Sequence, residues 1–581
     1  MSVFRYALSL AGLLVCLSAP GLAGTFYVAT NGNDSNGGSV AQPWATLQHA
    51  VDAIKPGDTI LVESGTYAGC RIGNSGSVGA ACTLKADSGA HVIVGSAGPA
   101  NKHGSNIEVE LFDDTVSYWV IDGIESTGSG RYGIDIRGTE FITVQNCFVH
   151  NSALTGIFLA FSYHPAILNN ESSFNGEHGV YQSNSGDYPV ISANRLHHNA
   201  AAGIHMNGDR NFTPGDGIIS FAVVEKNIVY ENGARGGSGI NCDGVSDSVI
   251  RNNLLYNNHA SGISLYAIDG AEGSSRNLVY NNTIVMAQGA RWCVNIPSST
   301  EGQPNPAGNK IKNNILYTND SNRGSVVTYS GAVPGFESDY NIVVGRFSTD
   351  EGDTSLPLSS WQSDGFDQHS IVATPANLFA NPAGGDYHLK PGSRAIGAGV
   401  LLAQVTDDLE GAARPAAAYS IGCYEARSGR AMGDFFPSTL TVQTGKLISG
   451  DAGSVGAVDG VYLRVKAARL DGAFGDIITY GFEAGAGGIS SLTVTSVSHA
   501  SSPPQRQQIM LYNFSTGAWV VVSDSALTTT ADATTTVIVT GAASFGSSTG
   551  EVRVQIRTGD MSGVKWKHFV DLVKVGIVFS S

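Results

Sequence analysis

A short phrase returns about every 23 residues through the middle of this chain, and that period constrains the fold more than any other feature. It reads Gly133-Ile134-Asp135-Ile136, Gly156-Ile157-Phe158-Leu159, Gly179-Val180-Tyr181-Gln182, Gly203-Ile204-His205-Met206, Gly239-Ile240-Asn241-Cys242, Gly262-Ile263-Ser264-Leu265 and a degenerate Cys293-Val294-Asn295-Ile296. Repetition at a fixed spacing of this size marks stacked units, each burying its apolar face against its neighbours. The second and fourth residues are almost all aliphatic and the third is polar or aromatic, the period-2 pattern of a half-buried strand. An asparagine in a turn follows each phrase: Asn146, Asn170, Asn194, Asn227, Asn253, Asn282 and Asn314. Asparagine tolerates left-handed backbone and bonds its own backbone, and a column of them at one corner can bond along the stack.

A coil of about 23 residues is too short for the helix of a leucine-rich repeat and too poor in helical periodicity for ankyrin or TPR units. A parallel β-helix remains. Two flanking segments carry a further likeness. One runs from Thr25-Phe26-Tyr27-Val28 through Asn31-Gly32-Asn33-Asp34 and Pro43-Trp44-Ala45-Thr46-Leu47 into an amphipathic stretch from Gln48 to Ile54. The other runs from Tyr387-His388-Leu389 through Asp407-Asp408 and Arg414-Pro415 to Ile421-Gly422-Cys423-Tyr424-Glu425. With these, the chain from about residue 25 to about 425 resembles the secreted right-handed β-helix proteins of the pectate-lyase-like superfamily. The resemblance implies a capping helix near residue 48 and an all-β fold, a right-handed parallel β-helix solenoid.

Of 581 residues 73 are glycine and only 14% are charged, which fits two or three turn-rich globular domains. Residues 1–23 have the form of a secretory signal peptide, with Arg5, an apolar run and Gly21-Leu22-Ala23, so export to an extracellular or periplasmic space is expected. Cys16 follows a valine and poorly matches a lipoprotein site. No later apolar stretch is long enough for a membrane span. Cys70 and Cys82 flank a Gly-rich loop that a disulfide could close in an oxidising compartment, whereas Cys147, Cys242, Cys293 and Cys423 read as small core fillers. The net charge of −16 argues against nucleic acid as a partner. It would also repel an anionic polysaccharide, so a uronate substrate calls for local arginines or calcium. The expected domains are a β-helix at 24–428 and an accessory β-sandwich at 429–581, where the 23-residue phrase stops and alternating strands such as Val552 to Arg557 begin. There, Trp519 and Trp566 read either as sugar-stacking rings or as core, and attachment to a cell surface or glycan is an equal role for the domain.

If the second and fourth phrase residues point inward, the outward pairs read Asp135/Arg137, Phe158/Ala160, Tyr181/Ser183, His205/Asn207, Asn241/Asp243, Ser264/Tyr266 and Asn295/Pro297. Aromatic, imidazole, amide and carboxylate groups on one surface suit a sugar-binding groove. The interval lengthens to 36 residues between Gly203 and Gly239 and to 31 between Gly262 and Cys293, bracketing the coil of Asn241 and Asp243 with two long loops. Tyr181, Asn207, Asn241, Tyr266 and Asn295 are therefore the candidate substrate-binding residues.

Two chemistries fit a polysaccharide substrate here. A lyase or epimerase needs a base beside a uronate carboxylate and a cation for the developing charge. His205 is the candidate base, Arg210 and Arg291 the charge partners, and Asp209, Asp216, Asp243 and Asp269 an oxygen set for Ca2+. In the β-helix lyases that the chain resembles the base is commonly lysine or arginine, and calcium often bridges the substrate acid. Here the only lysine between Gly133 and Val294 is Lys226, near the asparagine corner, a departure from a standard pectate lyase. An inverting hydrolase instead needs two carboxyls roughly 6.5 to 9.5 Å apart, and Asp209 with Asp243 suits that spacing. The Asn-Thr-Asp, Asp-Asp and Gly-His-Gly set of polygalacturonases is absent. Each residue also has a plainer reading: Asp209 and Asp243 as turn formers, His205 as a solvated sheet residue, the aromatics as a stiffening stack, the arginines as coil-to-coil ion pairs. A non-catalytic adhesion protein is the competing class.

Overall fold

The computed structural model describes residues 23–111, 114–329, 333–390, 392–426, 432–455, 462–470, 473–483, 489–501, 505–527, 532–547, 551–560 and 566–579. The signal-peptide reading, with Cys16, lies almost wholly outside these residues. The chain divides into two compact units, 1–426 and 427–581. Among the described residues no helix is long and apolar enough to cross a membrane.

The first unit is a right-handed parallel β-helix with three strand-bearing faces. The phrase strands form one face: Ile157–Tyr163, Val180–Ser183, Ile204–Asn207, Ile240–Asp243, Ile263–Tyr266 and Val294–Ile296 pair in parallel, one per coil. The long strand Ile134–Gln145 bends from this face onto a second, pairing first with Ile157–Tyr163 and then with Ala166–Leu168. A separate 12-stranded sheet, from Gly65–Ala68 to Ile371–Val372, forms the third. At the N-terminal end the helix Leu47–Ala53 caps the stack, with Thr46 accepting from the His49 amide and Leu47, Ala50 and Val51 buried. Inward residues of the phrase build the core: Ile134, Ile157, Val180, Ile204, Ile240, Ile263 and Val294 are fully buried. Closing such a stack removes roughly 2 kcal/mol worth of apolar surface from water per aliphatic side chain.

The asparagine corner is a continuous ladder. Nδ2 and the backbone N–H of Asn170 both donate to Oδ1 of Asn194, at 3.0 and 2.9 Å, and the same pattern repeats through Asn227, Asn253, Asn282 and Asn314 to Asn341. Two details differ from the sequence reading. Asn146 is exposed and off the ladder, because the rung in its coil is Cys147, whose N–H donates to Asn170. The left-handed residue is the one before each rung, as at Asn169, Ala193, Lys226 and Asn252, all with φ between 53° and 59°. A second ladder, Asn175, Asn199, Asn232 and Asn258, lines another corner. At the corner between the first two faces, the rings of Tyr118, Phe141, His164, Tyr188 and Phe221 stack nearly parallel at 4.6–4.9 Å.

The expected Cys70–Cys82 disulfide is not formed: Cys70 is in register with Ile107 and Cys82 with Trp119, on different faces of the helix. All six described cysteines are free and buried, and burial pushes the Cys70, Cys147 and Cys423 thiols up to about 12. The closing segment returns along the ladder corner and touches four coils in turn. Lys226 Nζ meets Asp407 at 2.5 Å, Asn252 accepts from Arg414 at 2.9 Å, Asn281 donates to the Ser420 carbonyl at 3.0 Å, and Asn313 donates to the Val400 carbonyl at 2.8 Å. Arg414, fully covered, is paired with Glu425 at 3.0 Å.

The second unit is a β-sandwich of two six-stranded antiparallel sheets. One has the strand order Thr439–Thr444, Ala473–Glu483, Glu551–Asp560, Gln505–Asn513, Ala518–Leu527, and buries Ile478, Tyr480, Val552, Val554, Ile509 and Leu511 against the other sheet. Trp566 is core, with 2% exposure, whereas Trp519 lies half-exposed on an outer strand.

Candidate functional site

The period-2 alternation places the outward residues of the first face in two straight columns. Asp135, Phe158, Tyr181, His205, Asn241, Ser264 and Asn295 are successive register partners, and beside them run Arg137, Ala160, Ser183, Asn207, Asp243 and Tyr266. The long loops cover much of this face, so His205, Asn207 and Asp243 are only 9%, 5% and 2% exposed. His205 is thus no solvated sheet residue.

At the centre, three consecutive coils are joined through one carboxamide. Nδ2 of Asn241 is 2.6 Å from the Tyr266 hydroxyl and 3.0 Å from Nδ1 of His205. On the next coil up, the Tyr181 ring lies 4.6 Å from the imidazole of His205, and Asn207 Nδ2 donates to the Tyr181 hydroxyl at 3.2 Å and to Asp269 at 3.4 Å. Burial lowers the His205 pKa to about 4 and raises those of the Tyr181 and Tyr266 phenols, so all three rings are neutral at ordinary pH. His178, in the turn that enters the Tyr181 coil, completes the aromatic wall. Its ring is 4.7 Å from His205 and 5.0 Å from Tyr181, its Nδ1 accepts from the Ala202 amide at 3.1 Å, and burial holds its pKa well below the usual range. The alternation gave no signal for it, because His178 lies in the turn before the strand Val180–Ser183.

The carboxylates do other work. Asp243 accepts from the amides of Ile268, Asp269 and Gly270 at 2.9, 3.1 and 3.0 Å, anchoring the loop after Tyr266; burial pushes its carboxyl up against these donors. Asp209 accepts from the Asn211 amide and Asp216 from the Ile218 amide, each within its own turn. Three of the four expected calcium ligands are thereby engaged by backbone, and among the described residues no three His, Cys, Asp or Glu converge to hold a metal ion. The quartet does not fit as a calcium cage. Of the pair considered for an inverting hydrolysis, Asp243 is held by three amides and Asp209 by one.

The arginines divide. Arg210 is a clasp: its amide donates to the Asp269 carbonyl at 3.1 Å and its guanidinium pairs with Glu301 at 2.8 Å, tying together three loops around the site. Its charge is shared with the exposed carboxylate of Glu301. Arg291 is exposed and makes no ion pair among the described residues. Asn295 donates to Ser264 at 3.4 Å at the lower end of the face. Lys226 is held by Asp407 at the ladder corner, outside the outward columns of the first face.

Residues 26–289 match the family described as the Pel9A-like right-handed β-helix region. Pectate lyase L of Paenibacillus polymyxa is 34% identical over 148 residues, which make up 24% of this chain and 30% of that protein. Pectate lyase PEL9 of Emericella nidulans is 25% identical over 205 residues, 32% of this chain and 50% of that protein. The chain thus spans between 30% and 50% of the length of these curated relatives. The crystal structure of pectate lyase Pel9A superposes with a TM-score of 0.47 at 17% identity, covering 70% of this chain and 96% of that one.

Proposed function

This chain is a pectate-lyase-like β-helix protein, and we propose that it is an exported polysaccharide lyase that cleaves a uronate-containing glycan by β-elimination. The single observation carrying the reading is the line Tyr266, Asn241, His205 across three consecutive coils. The two ends of a carboxamide have the same shape and opposite chemistry. With nitrogen toward the rings, Asn241 donates to Nδ1 and leaves the His205 proton on Nε2. Turned over, its oxygen accepts from the Tyr266 hydroxyl and from Nδ1–H of His205, and Nε2 becomes a free base.

In the second arrangement Nε2 takes the proton from the carbon beside the uronate carboxylate. The C–H pair moves into the new carbon–carbon double bond, and the glycosidic C–O bond breaks with its electrons on the departing oxygen. A phenol kept protonated by burial, Tyr266 or Tyr181, returns a proton to that oxygen. The Asn207 amide and the exposed Arg291 guanidinium are the neutralising donors for the carboxylate. Elimination is favoured over hydrolysis because three backbone amides already hold Asp243 in place as a loop anchor. Absorbance near 235 nm with a parallel reducing-end assay on pectate and alginate tests the reading: unsaturated product supports it, and reducing ends without absorbance overturn it.

A further inference from the structure

The sandwich presents a second candidate site, far in sequence from the β-helix residues. Its sheet beginning with Thr439–Thr444 has an open outer face, and one row across it runs through register partners: Thr439 opposite Gly481, Gly481 opposite Arg553, and Tyr512 opposite Trp519 on the outer strand. We infer that this face binds a neutral polysaccharide chain through Trp519, Tyr512, Arg553, Glu551 and Gln443.

Shape comes first. These residues line a cavity of about 320 Å³ with Thr439, Thr441, Thr479 and Gly481, within the range of small-ligand sites. Gly481 keeps its floor low: a Cβ there would stand 2.3 Å from the Thr439 hydroxyl oxygen. The cavity is aromatic at one end only. Trp519 meets Tyr512 edge-on, at 5.2 Å and 68°, so neither face of the indole is covered by a parallel ring. That differs from the β-helix corner stack, whose rings cover one another. An uncovered indole face beside hydroxyl and amide groups suits the C–H face and hydroxyls of a pyranose.

Charge then selects the class. Arg553 is bonded to Glu551 twice, at 2.7 and 2.9 Å, and its guanidinium lies 5.3 Å from the Tyr512 ring. The one cation lining the cavity is therefore neutralised. The other groups are uncharged: Gln555 donates to Gln443 at 2.9 Å and to Thr479 at 3.2 Å. Residues 427–581 hold 12 basic and 11 acidic side chains, a balance of +1, so the acidity of the chain lies wholly in residues 1–426. A balanced, amide-rich face matches a neutral glycan rather than the uronate proposed for the β-helix.

Affinity electrophoresis of the full chain tests this, with mixed-linkage β-glucan, xyloglucan or galactomannan in the gel and polygalacturonate as the charged comparison. The expected result is retardation by at least one neutral glycan, weakened at least tenfold in affinity by Trp519→Ala and unchanged by His205→Ala. A double substitution at exposed positions, Thr441→Ala with Gln443→Ala, should weaken it at least threefold and guards against a misfolded tryptophan variant. Retardation by polygalacturonate alone, or retardation that survives both variants, would overturn the inference. Because His205→Ala disables only the β-helix site, loss of lyase activity and loss of this binding are separable.

Discussion

Asn241 serves two rings with one end of its side chain, reaching the Tyr266 hydroxyl at 2.6 Å and Nδ1 of His205 at 3.0 Å. Which end it presents decides whether Nε2 of the neutral imidazole carries the proton or is free to act as a base. Asn241→Asp presents oxygen only, so it should hold the proton on Nδ1 and raise the His205 pKa from about 4. Activity should persist with its acid limb displaced to higher pH, as read from kcat/KM profiles. An inactive Asn241→Asp would mean that the amide nitrogen is the working end.

Removing the base should be severe and local. His205→Ala is expected to lower kcat by about 10²–10⁴-fold. Glycan binding should remain, because Asn207, Tyr181 and Arg291 stay in place. Stopped-time 235 nm assays beside a binding titration separate the two effects.

Acid should weaken the fold through the same imidazole. The folded-state pKa of His205, about 4, lies below an unfolded value near 6.5, so between these limits the unfolded chain binds more protons. Its contribution is therefore complete above pH 6.5 and is lost as pH falls toward 4, by roughly 3 kcal/mol at most. His178 shifts in the same direction. Melting temperatures at pH 4.5 and 7 should differ less in His205→Gln than in the parent protein.

The ladder predicts a contrast between two similar-looking substitutions. Asn253→Ala removes the acceptor of two Asn227 donors and the donor to Asn282 and to the Val224 carbonyl. That should cost about 2–4 kcal/mol in chemical denaturation. Asn146→Ala, off the ladder, should cost less, about 1–2 kcal/mol, from placing alanine at φ 54° and losing bonds to Asp122 and Asn169.

Reductant should leave the melting temperature unchanged, since none of the six cysteines from Cys70 to Cys423 is bonded to another. Thiol-reactive dye should label them only after denaturation. A drop in melting temperature with dithiothreitol would restore the disulfide reading.

The outward map was readable from the repeat because period 2 within a strand and period 23 between coils together fix two coordinates for every residue. Tyr181, His205 and Asn241 therefore stack as the spacing demands. What the spacing lacks is the third coordinate, height above the sheet. Loops fold back over the face, so His205 is buried where solvation was one reading, Asp243 is buried with it, and burial shifts both groups toward their neutral forms. Asp243 looked free because backbone donors, the residue's true partners, have no letter in a sequence. Cys70 and Cys82 looked close because their loop is short, yet it rounds a corner of the helix. The ladder was misplaced at Asn146 by one position, since cysteine filled the rung. In the sandwich, Trp519 and Trp566 are alike in composition and opposite in burial, a distinction that strand register alone decides.

The closing segment has a consequence for how the protein comes apart. A stack of coils held only by nearest neighbours would fray from its end, one turn at a time. Here Lys226, Asn252, Asn281 and Asn313 on successive coils are each gripped by the returning chain between Val400 and Ser420. No one of these coils can leave while that strap holds, so the four coils from Lys226 to Asn313 should open as a block, with one shared free energy of opening in hydrogen exchange.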